Sequence, residues 1–351
     1  MKGQAVFIYN FADKACCGTT TPTNYRLHKT DKNMNTKHIL QALLGISSLM
    51  LTYSCGNSSN GGSNWLQDDD VKFAADETLQ PIMQDLSDTF GMANPEANMK
   101  PMFVSEDSAL RLLVSDSLRC CISTRPLSEN ERTVVEGHHL GVNYSLIATD
   151  AIALIVNKEN PDSLLSLDEV KGIVSGRITH WEQLKYHSQK GEIKVVFDHS
   201  GSSTVRFMKD SLCQGQDLKG NVYASEGGTN LAVIDMVKSD PQLIGVVGTN
   251  WLKGNSQAPL TDFSKLDVKV MRISRTADEF AKYVRPFQYY IATGDYPLLR
   301  SVYIIHTDPR SKSFVRSFYY FAKGQKGQTI ICNNSQLLPI TPVQIKDVSV
   351  N

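Results

Sequence analysis

The sequence predicts an α/β protein of two lobes built on mainly parallel sheets, and three observations carry that expectation. The chain has 351 residues, 41% of them hydrophobic and 21% charged, which is enough for two lobes with separate cores. Short apolar runs of strand type alternate with runs of helical period, the pattern of a parallel sheet covered by helices. Where such a strand gives way to a helix, the turn repeatedly carries serine or threonine. Open α/β sheets bind ligands at these carboxyl ends of strands.

Val71 to Ala74 reads as the first strand, and Leu79, Ile82, Met83, Leu86 and Phe90 then recur with helical period until Gly91. The turn between them contains Asp76-Glu77-Thr78. Pro101 to Val104, the turn Ser105-Glu106-Asp107-Ser108 and the helix Ala109 to Val114 repeat the pattern. Leu118 to Ser123 is a third strand, in which neighbours Cys120 and Cys121 face opposite ways as packing residues. Thr124-Arg125-Pro126-Leu127 follows, and Ser128-Glu129-Asn130-Glu131 is a capping box that opens a helix. Tyr144 to Val156 is the longest apolar strand signal, broken by Asp150 and ended by Asn157 to Pro161, where the chain changes lobes. A second capping box, Ser166-Leu167-Asp168-Glu169, precedes the tight segment Gly172 to Trp181. Ile193 to Phe197 is a strand, Asp198 to Thr204 its turn, and Val205 to Leu212 the next helix. Asn221 to Ala224, Leu243 to Val247 and Val268 to Ile273 are further strands, with a helix from Leu231 to Val237. Tyr296 to Ile305 returns to the first lobe, and Ser313 to Ala322 and Gln325 to Cys332 close the chain as helices. The first lobe thus comprises 71–156 and the return segment 299–351, and the second lobe 157–298.

Asp198-His199-Ser200-Gly201-Ser202-Ser203-Thr204 carries the most chemistry. A strand that ends in a Gly and hydroxyl turn opening a helix aims several backbone N–H groups and the positive helix end at one place. The run has no lysine and no Walker pattern, so it would hold an anion through neutral dipoles. The plainer alternative is that Ser202 or Ser203 only caps the helix. Asp198, His199 and Ser200 are adjacent and cannot form a catalytic triad, because a base must face its nucleophile across space. The GxSxG elbow is absent too. No histidine shows metal-ligand spacing such as HExxH. The expectation is a non-enzyme without metal or cofactor.

Charge argues against a nucleic-acid partner. Residues 1–54 hold six basic and two acidic residues, which leaves 30 basic against 34 acidic in the remainder, a net of −4. Met34-Asn35-Thr36-Lys37-His38 and the apolar stretch Ile39 to Leu51 have the proportions of a secretory signal, too short for a comfortable transmembrane helix. Leu51-Thr52-Tyr53-Ser54-Cys55-Gly56 resembles the lipobox of bacterial lipoproteins, in which the cysteine becomes the lipid-bearing first residue. Residues 34–54 are read as a lipoprotein signal peptide, 55–70 as the lipidated Cys55 with a flexible tether, and 1–33 as an upstream or non-native extension. The rival is a signal cut elsewhere that leaves Cys55 a free thiol. Cys120, Cys121, Cys213 and Cys332 have no CxxC spacing; they permit disulfides without specifying any.

The order of motifs resembles the phosphate-binding lipoproteins of bacterial phosphate ABC importers, a type II periplasmic binding protein family. The resemblance rests on Asp150 to Asn157, Ile173 to Trp181, Ser200 to Phe207, Leu243 to Gly248, Tyr296 to Tyr303, Gly327-Gln328 and Leu338-Pro339-Ile340. It implies two lobes that close by a hinge on a buried oxyanion. By motif, it assigns ligand contacts to Thr78 with the Leu79 amide, Ser105 with Ser108, Thr124 with Arg125, and Ser200, Gly201, Ser202 and Ser203. It also implies phosphate or a related oxyanion as ligand, ABC permease subunits as partners, and a monomer held to the bilayer through Cys55 on the periplasmic side of the envelope. Two positions depart from the family. Thr124 stands where many members have an aspartate that accepts the ligand's proton, and Val196 where many have an arginine. Arg125 is the nearby cation in this reading, and Glu77 or Asp107 are candidates for the proton acceptor. The departures leave an alternative in which the same fold serves envelope signalling or adhesion, with altered or no oxyanion binding.

Overall fold

The structure is a computed structural model that describes residues 70–253 and 262–342. The signal, lipobox, Cys55 and tether expectations lie outside the described residues. Ser63–Asn351 forms one compact unit, and no helix among the described residues is long and apolar enough to cross a membrane.

The chain opens with β1 (Asp70–Asp76), a 3-10 turn (Glu77–Leu79) and α1 (Gln80–Ala93), then β2 (Asn98–Val104), α2 (Glu106–Val114), β3 (Cys120–Ser123) and α3 (Glu129–Gly137). The long β4 (Asn143–Asn157) leads to β5 (Leu164–Ser166), α4 (Leu167–Val174), β6 (Lys194–Phe197), α5 (Ser203–Leu212), β7 (Val222–Ala224), α6 (Asn230–Ser239) and β8 (Leu243–Gly248). After β9 (Val268–Val270), β10 (Arg272–Ser274) and α7 (Gln288–Ala292), the chain returns through β11 (Leu299–His306), α8 (Phe314–Lys323), α9 (Gln325–Asn334) and β12 (Leu338–Pro339).

The main sheet runs in the order β2-β1-β3-β11-β4-β8-β6-β7. Its two ends are parallel, β2-β1-β3 at one and β8-β6-β7 at the other. The antiparallel pairs fall on the connecting strands: β11 lies between β3 and β4, and β4 pairs β11 through Asn143–Ala151 and β8 through Ile152–Val156. One fifteen-residue strand therefore belongs to both halves of the sheet. This is the expected α/β fold, with parallel arrays whose carboxyl ends face one another across the crossover strands.

Packing follows from the sequence periods. Helix α1 buries Ile82, Met83, Leu86 and Phe90, which pack with Phe73, Phe318 and Ile304. Cys120 and Cys121 are buried in different clusters on opposite faces of β3. Both capping boxes form, Ser128 with Glu131 and Ser166 with Glu169.

One expectation is corrected. Val268 to Ile273 is two strands, because the chain changes partners at Met271: β9 pairs with β4, whereas β10 pairs with β5. The Met271 amide donates to Leu154 O and the Arg272 amide to Ser163 O, so the backbone cannot continue one ladder. Strands β5 and β12 and helix α7 were not expected; at three, two and five residues they are too short to show a period.

Candidate functional site

Four hydroxyl-bearing turns lie at the carboxyl ends of parallel strands β1, β2, β3 and β6. After β1, Asp76 caps the 3-10 turn: Oδ1 accepts the Thr78 amide at 3.0 Å and Oδ2 accepts the Thr78 hydroxyl at 2.9 Å. After β6, Ser202 is the N-cap of α5, and its Oγ accepts the Thr204 amide at 3.2 Å. Ser203 is then the first helical residue, whose amide has no partner within the helix. Its Oγ lies 3.2 Å from Thr78 Oγ1, so the turns after β1 and β6 meet through their hydroxyls.

The cation at this meeting point is Arg300, from β11. It is 5% exposed. Nη1 donates to Ser203 Oγ at 2.7 Å, Nη2 donates to Thr78 Oγ1 at 2.8 Å, and Nε donates to Asp150 Oδ2 at 2.9 Å. Arg300 and Asp150 are register partners on β11 and β4. A charge in a buried strand needs such a counter-charge. Burial alone would lower the Arg300 pKa, but Asp150 and then Asp76 outweigh it and hold the guanidinium charged. Asp76 is fully buried, 3.9 Å from Arg300 Nη1. Burial pushes its carboxyl up to about 6, although Arg300 pulls the other way.

A second knot joins the turns after β2 and β3 to α5. Glu106 Oε1 accepts both the amide and the hydroxyl of Thr124, at 2.5 and 2.7 Å. Arg206 of α5 reaches across, donating from Nε to Glu106 Oε2 at 2.6 Å and from Nη2 to Thr124 Oγ1 at 2.8 Å. Ser105 donates to Ser108 Oγ at 2.8 Å. The structure brings Thr78, Leu79, Thr124, Ser202 and Ser203 into the buried interior, with Ser105 half-buried and Ser200 and Gly201 exposed at the rim. Arg125 instead faces α3, where its two Nη atoms hold Glu131 at 2.7 and 2.9 Å. Asp107 is 64% exposed beside it.

At the rim, His199 and Glu77 form a close Nε2–Oε1 contact that links the turns after β6 and β1. Burial lowers the His199 pKa, but the hydrogen bond and charge of Glu77 raise it above the ordinary value. Glu77, Asp198 and His199 bring ligand-type atoms within 4.8 Å of one another. Their hydrogen bonds do not suit a metal. Asp198 Oδ1 and Oδ2 already accept from Thr204 and Asn230. His199 Nδ1 accepts from the Gly201 amide, which in the neutral ring leaves the proton on Nε2, facing Glu77. The Thr78 carbonyl is held from the β8 side by Asn250 Nδ2 at 2.7 Å and Trp251 Nε1 at 2.9 Å.

Sequence reasoning missed Arg300, Asp76, Glu106 and Arg206. A signal existed for one of them: Arg300, like Asp150 in β4, is a lone charge inside an otherwise apolar strand, and each such charge demands a partner. A cleft of about 270 Å³ opens beside this region, walled by Glu106, Asp107, Ser200 to Ser203, Arg206 and Lys209.

Comparison with known proteins fits this geometry. The phosphate-binding protein PstS of Staphylococcus haemolyticus is 23% identical over 294 residues, covering 82% of this chain and 87% of the relative. A Clostridium perfringens protein described as a phosphate ABC transporter substrate-binding protein, solved with bound phosphate, superposes with a TM-score of 0.64 at 19% identity. It covers 78% of this chain and 100% of its own. An ABC-type phosphate transport receptor from Vibrio cholerae gives a TM-score of 0.55 at 20% identity, over 74% of this chain and 96% of its own. A PBP superfamily domain model matches residues 59–323. With three quarters of its length matched by that model and parallel arrays meeting at hydroxyl-bearing strand ends, the chain belongs to the PBP superfamily.

Proposed function

We propose that this protein is an extracytoplasmic receptor that captures inorganic phosphate, or a related oxyanion, between two lobes and delivers it to an ABC importer. One observation carries the reading: the buried Arg300 guanidinium joins the hydroxyls of Thr78 and Ser203, which come from opposite halves of the sheet. A tetrahedral oxyanion that enters there meets a charged fork, two hydroxyls and the helix α5 N-terminus, in an interior where charge-assisted bonds are strong. The phosphate-binding roles of the relatives support the same ligand class. The lobes are 71–156 with 299–351, and 157–298, joined by β4 and β11. Thr78, Leu79, Ser105, Thr124, Ser200, Gly201, Ser202 and Ser203 surround the anion, and Arg300 takes the role the sequence suggested for Arg125. No bond is made or broken. A lipid on Cys55 holds the receptor at the membrane on the periplasmic side.

Asp76 is the proton acceptor in this reading. Its carboxyl lies beside the Arg300 fork, and two anions there are compatible only when one carries a proton. Hydrogenphosphate supplies that proton; sulfate does not. Calorimetry of the purified domain against phosphate, arsenate, sulfate and molybdate tests the proposal. Binding of phosphate with weaker or no binding of sulfate is expected, together with loss of binding in Arg300→Lys, which keeps the charge but not the fork. Absence of binding by every anion overturns it.

A further inference from the structure

We propose that His199 is a positioning residue for the oxyanion site, operated by a proton: when Nδ1 takes one up from solvent, the Gly201 amide is released toward the anion and a cation stands at the rim. The presence of that anion rests on the receptor reading above; the exchange of partners at His199 does not.

The entry to α5 shows why one amide matters. The amides of Gly201, Ser202, Ser203 and Thr204 follow one another where the chain enters the helix. His199 occupies two of them, since Nδ1 accepts the Gly201 amide at 3.2 Å and the carbonyl accepts the Ser202 amide at 3.2 Å. Ser202 Oγ accepts the Thr204 amide. Among these four, only the Ser203 amide stays open to a ligand. The positive end of a helix holds an anion through such open N–H groups, so a second one strengthens the site directly.

A neutral imidazole accepts at one nitrogen, and an imidazolium accepts at neither. In the neutral ring Nδ1 accepts from Gly201 while Nε2 donates to Glu77 Oε1. Once Nδ1 carries a proton, it and the Gly201 amide are two donors facing each other, and their bond is lost. Gly201 is exposed, and a Cβ added there would meet only the His199 ring beyond its chain neighbours, so the Ser200–Gly201 peptide is free to turn. The Nε2 bond to Glu77 survives as an ion pair, which keeps the turns after β1 and β6 joined. Both consequences of the proton favour a bound anion.

The charges around the ring support this state. Glu77 and Asp76 act on it from the end of β1, and Asp198 from the end of β6. Lys209 of α5 and Asp217 line a cavity that the ring also borders, and they pair with each other at 2.6 Å. Burial opposes the imidazolium, but Glu77, then Asp198 and Asp76, outweigh it.

Nuclear magnetic resonance of protein labelled at histidine and glycine, from about pH 5 to about pH 9, tests the exchange. In ligand-free protein the Gly201 amide signal should titrate with the midpoint of the His199 ring. Inorganic phosphate should raise that midpoint by about one pH unit, because a tenfold gain in phosphate affinity on protonation is, by reciprocity, a tenfold gain in proton affinity. Glu77→Gln should lower the midpoint. Calorimetry reads the same coupling independently: the ratio of phosphate affinities of wild type and His199→Gln, in which the titrations of phosphate and Asp76 cancel, should grow by about tenfold from the top to the bottom of the range. A Gly201 signal that does not follow the ring, a midpoint that phosphate leaves unmoved or lowers, or an affinity ratio constant with pH overturns the proposal and leaves phosphate binding itself standing. Absence of phosphate binding at every pH instead overturns the receptor reading, and the effect on the ligand falls with it.

Discussion

Asp76 concentrates the electrostatics of the site in one residue. Its carboxyl is pushed from 3.8 to about 6 by burial, so the native state holds a proton more tightly than the unfolded chain does. A raised acid of this kind contributes stability that is fully present below about pH 4 and is lost as pH rises through about 6. Thermal melts of ligand-free protein from pH 4 to 7 should show that decline, and Asp76→Asn, which keeps an acceptor for the Thr78 amide, should flatten it. The same variant should lose discrimination between phosphate and sulfate in calorimetry; retention of both the decline and the discrimination would remove Asp76 from the role assigned to it. The hydroxyl turns around it were legible because Thr78, Ser105, Thr124 and Ser200 to Ser203 each follow their strand directly in the chain. Arg300 was not. Its partners lie 97, 150 and 222 residues away, and only the sheet register places them together. Arg125 looked equivalent in the sequence, but Glu131, six residues on, offers it a bidentate partner within the capping box.

At the scale of single elements, most of the fold was legible because local signals agreed with one another. Both capping boxes named their helix starts, and the helical period of Leu79 to Phe90 named α1. What failed was length: β5, β12 and α7 are too short for a period, and β9 and β10 differ only in their partners. Helix α5 allows cap and ligand roles to be separated. Ser202→Ala removes the Oγ that accepts the Thr204 amide and should cost about 1 kcal/mol of stability in denaturant melts. Ser203→Ala removes the Oγ that Arg300 engages and should weaken anion affinity more than Ser202→Ala does. Helices α8 and α9 meet at Gly327, where an added Cβ would lie 2.7 Å from the Ala322 Cα and carbonyl oxygen. Backbone cannot yield as a side chain does, so Gly327→Ala should destabilise by about 2 kcal/mol. Gly137→Ala, which meets nothing within 4 Å, should be neutral or slightly stabilising; equal effects of the two would show that the helix pair tolerates separation.

At the scale of the whole molecule, polar contacts bridge the turns and helices that follow the two parallel arrays of the sheet. Arg206 bonds Glu106 and Thr124, His199 meets Glu77, Asn250 and Trp251 donate to the Thr78 carbonyl, and Lys253 pairs with Asp85 at 3.1 Å. In the proposed receptor, contacts that join the two sides directly bias the equilibrium between open and closed forms. Apparent affinity scales with the fraction already competent to bind. Arg206 is the strongest lever. The Glu106 side chain is 2% exposed, and without its partner it is a buried charge that an opening of the proposed lobes would return to water. Arg206→Ala should therefore favour the open form, enlarge the ligand-free radius of gyration in small-angle scattering, and weaken phosphate binding by about tenfold or more. Saturating phosphate should restore the compact radius, since closure then draws on the Arg300 fork. The scattering comparison separates closure from direct ligand contact, because a residue that only touches the anion cannot change the shape of the ligand-free protein. An unchanged ligand-free radius with weakened affinity would make Arg206 a ligand contact, and an unchanged radius with unchanged affinity would show that the Glu106 knot has no part in closure.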